Sequence, residues 1–267
     1  MKFTVLGANG FLGSNIKNHL LENNFECYTP NIRKEDISNK SLGHVIYAIG
    51  SVDFMNIDKI VESHVCTLKN ILDNCNFESF LYISTGRFYR NSKSTIETEK
   101  IEIDINDKSN LYDISKLLGE SYCLSSKKEN IRIIRPSLVI GIDTPKSLFL
   151  PSIILDAILK GKITLRSALE SQRDYLRIED FVKIIPEISL RGKEKIYNIS
   201  HGKNTKTKEI VDEIIKLTNC SVDVVENSPD NSSPEINIDR IKNEFNFKSE
   251  SILSELKNLI TNYQKSL

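Results

Sequence analysis

The feature that most constrains the fold is a run of spaced glycines between a strand pattern and a helix pattern. Lys2–Leu6 is a short apolar run typical of a buried strand, and Phe11–Glu22 has apolar residues at helical spacing. Between them, Gly7 permits a tight turn, Gly10 lets the backbone approach a pyrophosphate, and Gly13 permits close helix–strand packing. The positive N-terminal end of the helix then faces the phosphates. This pattern predicts a dinucleotide-binding loop with cofactor contacts from Gly7, Asn9, Gly10, Phe11, Leu12 and Gly13.

Strand patterns continue to alternate with helix patterns over the first half of the chain. The predicted strands are 25–30, 44–50, 80–84 and 131–140, and the predicted helices are 57–75 and 111–126. Nearly continuous apolar strands that alternate with amphipathic helices are typical of parallel sheets covered on both faces. We therefore predict an α/β fold of the Rossmann type, with a doubly wound parallel sheet.

Three stretches interrupt this alternation. Residues 90–110 are polar and without strong periodicity, which is typical either of a plain surface loop or of a lid near a site. Residues 143–173 contain their own apolar helix pattern around 153–159. Residues 226–235 form a turn-rich linker before a last predicted helix at 252–263. These stretches predict structure outside the doubly wound sheet.

The composition argues against several classes of partner. The 36 basic and 36 acidic side chains give a formal net charge of +0, whereas binders of nucleic acids or anionic membranes usually carry a basic excess. The N-terminal residues lack the apolar core of a signal peptide, and no apolar run reaches the ~20 residues of a membrane span. The 5 cysteines include no C-x-x-C pair, and the 4 histidines show no metal-ligand spacing. We expect a cytoplasmic protein with reduced thiols and no metal, nucleic-acid or membrane partner.

The residues after the second predicted strand bear on which dinucleotide binds. NAD sites usually place an acidic residue there, which takes the ribose hydroxyls. In this chain Asn31 is neutral, and Arg33 or Lys34 can pair with a 2′-phosphate. The alternative is that these cations are solvated loop residues. We predict NADP(H) as the cofactor, with NAD(H) as the alternative.

Tyr112 and Lys116 are four residues apart in a predicted helix and therefore share one face. A phenol titrates near ~10, so acid–base catalysis near neutral pH requires its pKa to fall by roughly three pH units. An ammonium group at ~4 Å supplies about that effect at an effective dielectric constant of ~20. The same spacing also occurs on many helices as an exposed pair. The strand that ends at Ser84 and Thr85 places two hydroxyls at the sheet edge where ligands bind, where one can hold a carbonyl while Tyr112 protonates it.

Further motifs follow in order along nearly the whole chain. They are Asp36-Ile37, Ile83-Ser84-Thr85-x-x-Phe88-Tyr89, Arg135-Pro136-Ser137 through Gly141, Gln172-Arg173-Asp174-Tyr175 through Asp180, Ile196-Tyr197-Asn198-Ile199 and Asp239-Arg240-Ile241-Lys242. With the glycine loop and the Tyr112/Lys116 pair, they resemble an extended short-chain dehydrogenase/reductase. The resemblance is to the NAD-dependent epimerase/dehydratase family, whose members act on nucleotide sugars.

The resemblance implies roles for individual residues. It implies Tyr112 and Lys116 as catalytic residues, with Thr85 as the partner hydroxyl. It implies adenine contacts at Asp36 and Ile37, and we expect further cofactor contacts at Asn31, Arg33, Ala48, Gly50, Lys116 and Pro136. It places Arg173 near the substrate diphosphate, and we expect substrate contacts also from Thr85, Arg87 and Ser137. Arg87 is either a phosphate-binding residue or a surface cation.

The resemblance also implies a domain organisation and an assembly. We expect a dinucleotide-binding domain at 1–142, to which 174–200 return, and a small substrate-binding domain formed by 143–173 and 201–267. Sugar specificity is then set by 143–173. The two helices predicted at 57–75 and 111–126 form the usual dimer face of the family, although packing on the sheet explains their apolar stripes equally well. A homodimer is therefore an expectation.

Departures from the family pattern narrow the reaction. In the 4,6-dehydratases of the family, Asp and Glu follow the threonine, whereas Gly86 and Arg87 follow it here, which argues against dehydration. The cysteine and histidine used by the 3,5-epimerase-reductases are also missing. The resemblance thus implies an NADP(H)-dependent reductase of a nucleotide-linked 4-keto(-6-deoxy) sugar in bacterial surface-polysaccharide biosynthesis, with a proton from Tyr112. The alternatives are an NAD-dependent nucleotide-sugar 4-epimerase and a non-catalytic, dinucleotide-binding regulatory protein.

Overall fold

A six-stranded parallel sheet lies at the centre of the structure, a computed structural model that describes residues 1–51 and 56–266. The strands are, in chain order, β1 (Lys2–Leu6), β2 (Glu26–Tyr28), β3 (His44–Tyr47), β4 (Ser79–Ile83), β5 (Ile131–Pro136), β6 (Leu138–Ile140), β7 (Lys162–Leu165), β8 (Gln172–Arg173), β9 (Tyr175–Arg177), β10 (Ile196–Ile199), β11 (Thr205–Lys206) and β12 (Ser221–Val224). The central sheet has the order β2-β1-β3-β4-β5-β10, and every neighbouring pair is parallel. The predicted α/β fold with a parallel sheet is confirmed.

Helices cover both faces of this sheet. They are α1 (Phe11–Glu22), α2 (Ile57–Val61), α3 (Thr67–Asn74), α4 (Leu111–Ser125), α5 (Phe149–Lys160), α6 (Ile178–Arg191), α7 (Thr207–Thr218), α8 (Asp239–Phe245) and α9 (Ile252–Lys265). Apolar residues of α1 and α6 pack with Leu81 and Ile83 on one face, and those of α3 and α4 pack with Phe80 and Tyr82 on the other. Because alternate residues of a strand point to opposite faces, β4 is buried along its whole length.

Several predicted elements differ from the observed ones at their ends or in continuity. The pattern predicts one strand over 131–140, but the chain leaves the central sheet after Pro136, and β6 pairs with β9 instead. At that point the Ser137 hydroxyl donates to Asp174, on the segment that also contains β9. The helix predicted over 57–75 is interrupted by a π-helical turn at Glu62–Cys66. The strand predicted over 44–50 ends at Tyr47.

A second hydrophobic cluster lies apart from the central sheet. It is built from α5, β7, α7 and α9, and its fully buried side chains include Ile154, Ile214 and Leu256. The helix predicted around 153–159 and the last helix are present as α5 and α9, whereas α6, α7 and α8 were not predicted. In α6 the interior Pro186 is a helix-breaking signal in sequence, and the packing of its buried neighbours overrides it.

The polar segment 90–110 is attached to the core. Asn198 of β10 donates through Nδ2 to the Thr95 carbonyl at 2.7 Å, and its backbone N–H donates to Glu97 Oε1 at 3.1 Å. The Thr95 hydroxyl donates to the Glu235 carbonyl in the turn-rich segment at 2.8 Å. Thr95 and Glu97 are buried, so the interpretation as a plain surface loop is wrong. The segment instead joins β10 to residues 226–235.

Two general properties complete the fold. Within residues 1–51 and 56–266, no helix has the length and apolar character that a membrane span requires. In the same part of the chain, His, Cys, Asp and Glu side chains form no group of three or more that could hold a metal ion. All of the cysteines are free thiols, and Cys75, Cys123 and Cys220 are buried.

Candidate active site

The sheet order creates a crevice between the ends of β1 and β3. From β1 the chain continues to β2 on one side, and from β2 it crosses to β3 on the other, so the strand order reverses between β1 and β3. In open α/β sheets, ligands bind outside the carboxyl ends of the strands at such a point. A cleft of about 1140 Å³ lies there. The predicted cofactor residues that line it are Gly7, Asn9, Gly10, Asn31, Arg33, Asp36, Ile37, Ala48 and Gly50.

The glycine segment forms the floor of this cleft. Gly7 has φ +93°, and a Cβ atom on it would lie 2.8 Å from the Ala48 carbonyl carbon and oxygen. A Cβ atom on Gly13 would lie 2.2 Å from the Gly7 carbonyl oxygen, so these two glycines are required by packing. A Cβ atom on Gly10 would meet only the Gly7 oxygen at 3.5 Å, an ordinary contact. Packing therefore requires Gly7 and Gly13 but not Gly10, which is open toward the cleft.

The N-terminus of α1 is free to receive an anion. No side chain caps its first turn, which also contains no acidic residue. The first N–H groups of a helix lack partners inside the helix and carry its positive dipole end. The side chains of Phe11 and Leu12 pack against the core, so at these two positions only the backbone is available to a ligand. The cradle fits the pyrophosphate of a dinucleotide.

The segment after β2 forms the far wall of the cleft. Asn31 Oδ1 accepts from the Arg33 backbone N–H at 3.2 Å, and the Arg33 side chain is exposed. Asp36 Oδ1 accepts from the backbone and the hydroxyl of Ser38, while the Ile37 side chain is buried in the core. Hydrogen bonds from Lys40 and then Tyr28 lower the pKa of Glu35. Glu35, an acidic residue of this wall, is therefore already hydrogen-bonded within the protein.

Tyr112, Thr85 and Lys116 meet where β4 ends against the first turns of α4. The Tyr112 phenol and the Thr85 hydroxyl are hydrogen-bonded. Lys116 is buried, and its Nζ donates to the Ile83 carbonyl at 2.9 Å, which uses one of its three donors. A Cβ atom on Gly50, which lines the cleft, would lie 3.6 Å from that Nζ, so the buried amine lies behind Gly50, and Lys116 itself does not line the cleft. The structure thus brings the three predicted catalytic residues together.

The pKa values of Tyr112 and Lys116 differ from those expected from the sequence. Burial raises the pKa of Tyr112 to about 12, and Asp113 adds to the rise, while Arg87 and the hydrogen bond with Thr85 oppose it. Burial lowers the pKa of Lys116 to about 7, opposed by Glu120. Lys116 does not lower the pKa of the phenol as expected. The cation that acts on Tyr112 is Arg87, because the Lys116 ammonium group is directed to the Ile83 carbonyl.

Arg87 is held beside Tyr112 by a buried carboxylate. Its Nη1 lies 2.5 Å from Asp113 Oδ2, and its guanidinium carbon lies 5.9 Å from the centroid of the Tyr112 ring. The Asp113 side chain is 2% exposed, and burial raises its pKa against the opposing effect of Arg87. Arg90 also approaches this carboxylate, at 3.7 Å. Arg87 is thus an ordered part of the site, which does not fit the interpretation as a surface cation.

The predicted residues Pro136, Ser137 and Arg173 form hydrogen bonds within the protein. Pro136 does not line the cleft, and its carbonyl accepts from the Gly86 N–H at 2.8 Å. The Ser137 hydroxyl donates to the buried carboxylate of Asp174 at 2.7 Å. Arg173, on β8, donates through Nε to the carbonyl of Asn231 at 3.1 Å. Ser137 and Arg173 are therefore held by the protein's own acceptors.

Gly86 lies in a crowded position. A Cβ atom there would lie 2.9 Å from Ile236 Cδ1, the end of a flexible side chain, and 3.1 Å from the Pro136 carbonyl oxygen. A side chain at this position therefore requires small local shifts.

No sequence pattern assigns a site role to His64, Asp113 or Ser115. His64 is fully buried and lies edge-on to Tyr112, with ring centroids 5.2 Å apart. A signal for its burial exists, because it occupies one apolar stripe with Ile60 and Leu68 at intervals of four residues. Asp113 and Ser115 flank the predicted Tyr112/Lys116 pair, but their orientation depends on the packing of α4.

Comparison with known proteins adds a family and several similar folds. The sequence model of the NAD dependent epimerase/dehydratase family matches residues 62–200. No curated protein matches the chain significantly. UDP-glucuronic acid 4-epimerase from Bacillus cereus, solved with UDP-glucuronic acid and NAD, has 17% identity and a TM-score of 0.82, covering 100% of both chains. RMD from Pseudomonas aeruginosa, complexed with NADPH, has 18% identity and a TM-score of 0.82, covering 99% of both. TunA, an NAD-dependent NDP-hexosamine 5,6-dehydratase, has 14% identity and a TM-score of 0.83, covering 99% of this chain and 98% of that one.

Replacement by alanine is expected to have different effects at Gly10 and at Gly13. We expect Gly10→Ala to retain the melting temperature but to weaken NADPH binding by about tenfold or more, because its methyl group enters the cleft where the backbone must approach a pyrophosphate. Gly13→Ala serves as the contrast and lowers the melting temperature, because its Cβ atom clashes with the Gly7 oxygen. Differential scanning calorimetry and fluorescence titration with NADPH measure both effects. Unchanged NADPH affinity in Gly10→Ala contradicts the assigned cradle.

Proposed function

Because the chain belongs to the NAD dependent epimerase/dehydratase family, we propose that it is an NADP(H)-dependent reductase of a nucleotide-linked 4-keto(-6-deoxy) sugar. The similar folds support the ligand classes, since solved relatives carry UDP-glucuronic acid with NAD or carry NADPH. The chain's own support is a cleft that fits a dinucleotide, next to a tyrosine, a threonine and a lysine.

The protein's residues divide the work of reduction. When bound, a nicotinamide cofactor supplies the hydride that reduces the keto carbon. Tyr112 donates its phenolic proton to the keto oxygen, which becomes the hydroxyl of the product. Thr85, hydrogen-bonded to the phenol, holds that oxygen in position. Lys116 holds an amine behind Gly50 of the cleft, anchored by the Ile83 carbonyl.

The observation that carries the proposal is the hydrogen bond between the Tyr112 phenol and the Thr85 hydroxyl at the end of β4. The phenol is protonated at neutral pH and can donate to a keto oxygen that Thr85 holds. Reduction needs this proton transfer in one direction only, whereas epimerisation needs it in both directions. Dehydration is disfavoured because Gly86 and Arg87 stand where the 4,6-dehydratases of the family have Asp and Glu.

The proposed cofactor is NADP(H), with NAD(H) as the alternative. Its support is the wall after β2, where Asn31 and exposed Arg33 line the cleft. Glu35 is neutralised there by Lys40. A 2′-phosphate therefore meets the Arg33 cation at this wall, where Glu35 is paired with Lys40 and Asp36 accepts hydrogen bonds from Ser38.

A 4-epimerase is the second candidate, favoured by the similarity of the fold to UDP-glucuronic acid 4-epimerase. In an epimerase the same residues would serve both the oxidation and the reduction of the sugar, with an NAD that stays bound. A dinucleotide-binding regulator is the non-enzymatic alternative. Stoichiometric oxidation of NADPH by a keto sugar distinguishes the reductase from both.

The domain, assembly and location remain part of the proposal. The separate cluster of α5, β7, α7 and α9 supports a substrate-binding unit in residues 143–173 and 201–267. The exposed apolar residues Val61, Leu118 and Leu124 on α2 and α4 support a homodimer through these helices. The free thiols are consistent with a cytoplasmic location.

The central test is a screen of 4-keto-6-deoxy nucleotide sugars with NADPH and NADH, followed by absorbance of the reduced nicotinamide. We expect Tyr112→Phe to lower kcat by roughly 10²–10⁴-fold with NADPH affinity retained, because the proton donor is lost. Tyr122→Phe is the matched control on the same helix, where the hydroxyl donates to exposed Asp73. Full activity in Tyr112→Phe refutes the assigned proton donor, and tight NADPH binding without turnover of any sugar supports the regulator.

Cofactor choice has its own test. Arg33→Ala is expected to lower the preference for NADPH over NADH by roughly 10- to 100-fold, since a charged hydrogen bond to the 2′-phosphate is lost. Lys34→Ala is the control, because Lys34 is exposed but does not line the cleft. Steady-state kcat/KM with each cofactor measures the preference. Equal efficiencies in the wild-type protein, unchanged by Arg33→Ala, contradict the NADP(H) assignment.

The pH dependence follows from the two shifted groups. Lys116 is an ammonium group below about pH 7 and neutral above it, whereas Tyr112 stays protonated up to about pH 12. We therefore expect kcat/KM for NADPH, which reports the free enzyme, to fall on the order of tenfold per pH unit above neutrality. Lys128→Met, which removes an ammonium group bonded to the Cys75 carbonyl, keeps this decline. A profile that is flat to pH 9 is the contradictory result.

A further inference from the structure

His64 connects the two halves of the candidate site. It lies in the π-helical turn between α2 and α3, and its side chain is fully buried. Its ring stands edge-on to Tyr112, with an interplanar angle of 85°. A Cβ atom on Gly50 would lie 3.5 Å from His64 Nε2 and 3.6 Å from Lys116 Nζ, so imidazole and ammonium approach the same glycine. His64 thus borders the cleft wall and both proposed catalytic residues of α4.

The hydrogen bonds of His64 assign its tautomer. The Ser115 hydroxyl donates to the Tyr112 carbonyl at 2.8 Å, and it has only one proton to donate. It therefore accepts from His64 Nδ1, 2.8 Å away. Nε2 then carries a lone pair and accepts the backbone N–H of Ser51 at 3.2 Å. One ring nitrogen is bonded to α4, and the other is bonded to the chain that leaves β3.

The imidazole acts as a neutral connector. Burial, and then the positive charge of Lys116, lower the pKa of His64 to about 2, so it carries no charge at neutral pH. Both nitrogens have partners, and Tyr82 donates to the His64 backbone carbonyl at 3.4 Å. An apolar side chain would fill the same space but leave the Ser51 N–H and the Ser115 hydroxyl without these partners. π-Helical turns are rare overall, but those that occur often lie at functional sites. The location of His64 in such a turn agrees with a role in orienting its neighbours.

We propose that His64 is a positioning residue that fixes α4, with Tyr112 and Lys116, relative to the cofactor side of the cleft at Ser51. This inference rests on the proposed function for its kinetic consequence. The Nδ1 bond to Ser115 orients the first turn of α4 and therefore the proton donor. The Nε2 bond to Ser51 orders the chain that lines the cleft after β3. His64 acts through these neighbours and does not touch the substrate.

Two conservative variants separate the two bonds. The amide of His64→Asn reaches the place of Nδ1 and keeps the bond to Ser115, whereas that of His64→Gln reaches the place of Nε2 and keeps the bond to Ser51. We expect His64→Gln to retain NADPH affinity but to lose kcat by on the order of 10- to 100-fold, because the donor on α4 is misplaced. We expect His64→Asn to retain most of kcat but to weaken NADPH binding by roughly 3- to 10-fold. We expect His64→Leu, which removes both hydrogen bonds, to lower kcat and to weaken NADPH binding.

His44→Leu is the matched control. Its Nδ1 is also bonded to a serine hydroxyl, Ser79 Oγ at 2.9 Å, but at the start of β3, away from the cleft. This variant is expected to change neither kcat nor NADPH affinity, whatever its melting temperature. If His64→Leu behaves like His44→Leu, or if His64→Asn and His64→Gln lose kcat and affinity in equal proportion, His64 is only a core residue and the proposal is overturned.

A measurement without turnover separates this inference from the proposed function. In ¹⁵N-histidine-labelled wild-type protein, we expect one imidazole to show a protonated Nδ1 and an unprotonated Nε2 without titration between pH 5 and 9, where free histidines titrate, and its signals to vanish in His64→Leu. NADPH affinity across the variants is measured in the same samples. If no keto sugar is turned over, the proposed function fails, while the tautomer and the affinities still decide the role of His64. The opposite tautomer overturns it.

Discussion

The close approach of three backbone segments at Gly7 determines where this protein can bind a ligand. The turn after β1 touches the end of β3 at Ala48 on one side and the first turn of α1 at Gly13 on the other, with no space for a Cβ atom at either contact. The helix N-terminus, the sheet edge and the cleft are therefore brought together by backbone alone. Side chains around the cleft select the ligand, but they do not create the cleft, because the strand order has already placed it.

The orientation of α4 is determined by buried polar groups more than by apolar ones. Asp113, Lys116 and Glu120 follow one another at helical spacing on the inner face of α4, and all three are buried. Each has a different partner: Arg87 for the first, a main-chain carbonyl of β4 for the second and Arg135 for the third. A rotation of the helix would leave all three without partners, and an unpaired buried charge is strongly destabilising. This face therefore has a single low-energy orientation.

Local patterns predicted the parts of the fold that depend on neighbours in sequence. The strand, glycine turn and helix over residues 2–22 appear as expected, and the spacing of Tyr112 and Lys116 places both on α4. The site could not be predicted to the same depth, because its protonation depends on contacts between distant segments. Lys116 is directed to a carbonyl of β4 rather than to the phenol, and no local pattern encodes that choice. Just after β5, the Ser137 hydroxyl likewise donates to a carboxylate far along the chain.

The central sheet is completed late in the sequence. Its last strand, β10, pairs with β5, and α6 covers one face, yet both follow the long excursion of residues 143–173. Until β10 has been synthesised, β5 is an open sheet edge, and the apolar side chains beneath α6 are uncovered. Open edges and uncovered apolar surface promote association between chains. Residues 1–142 alone therefore do not complete the central sheet, which also needs β10 and α6 from beyond the excursion.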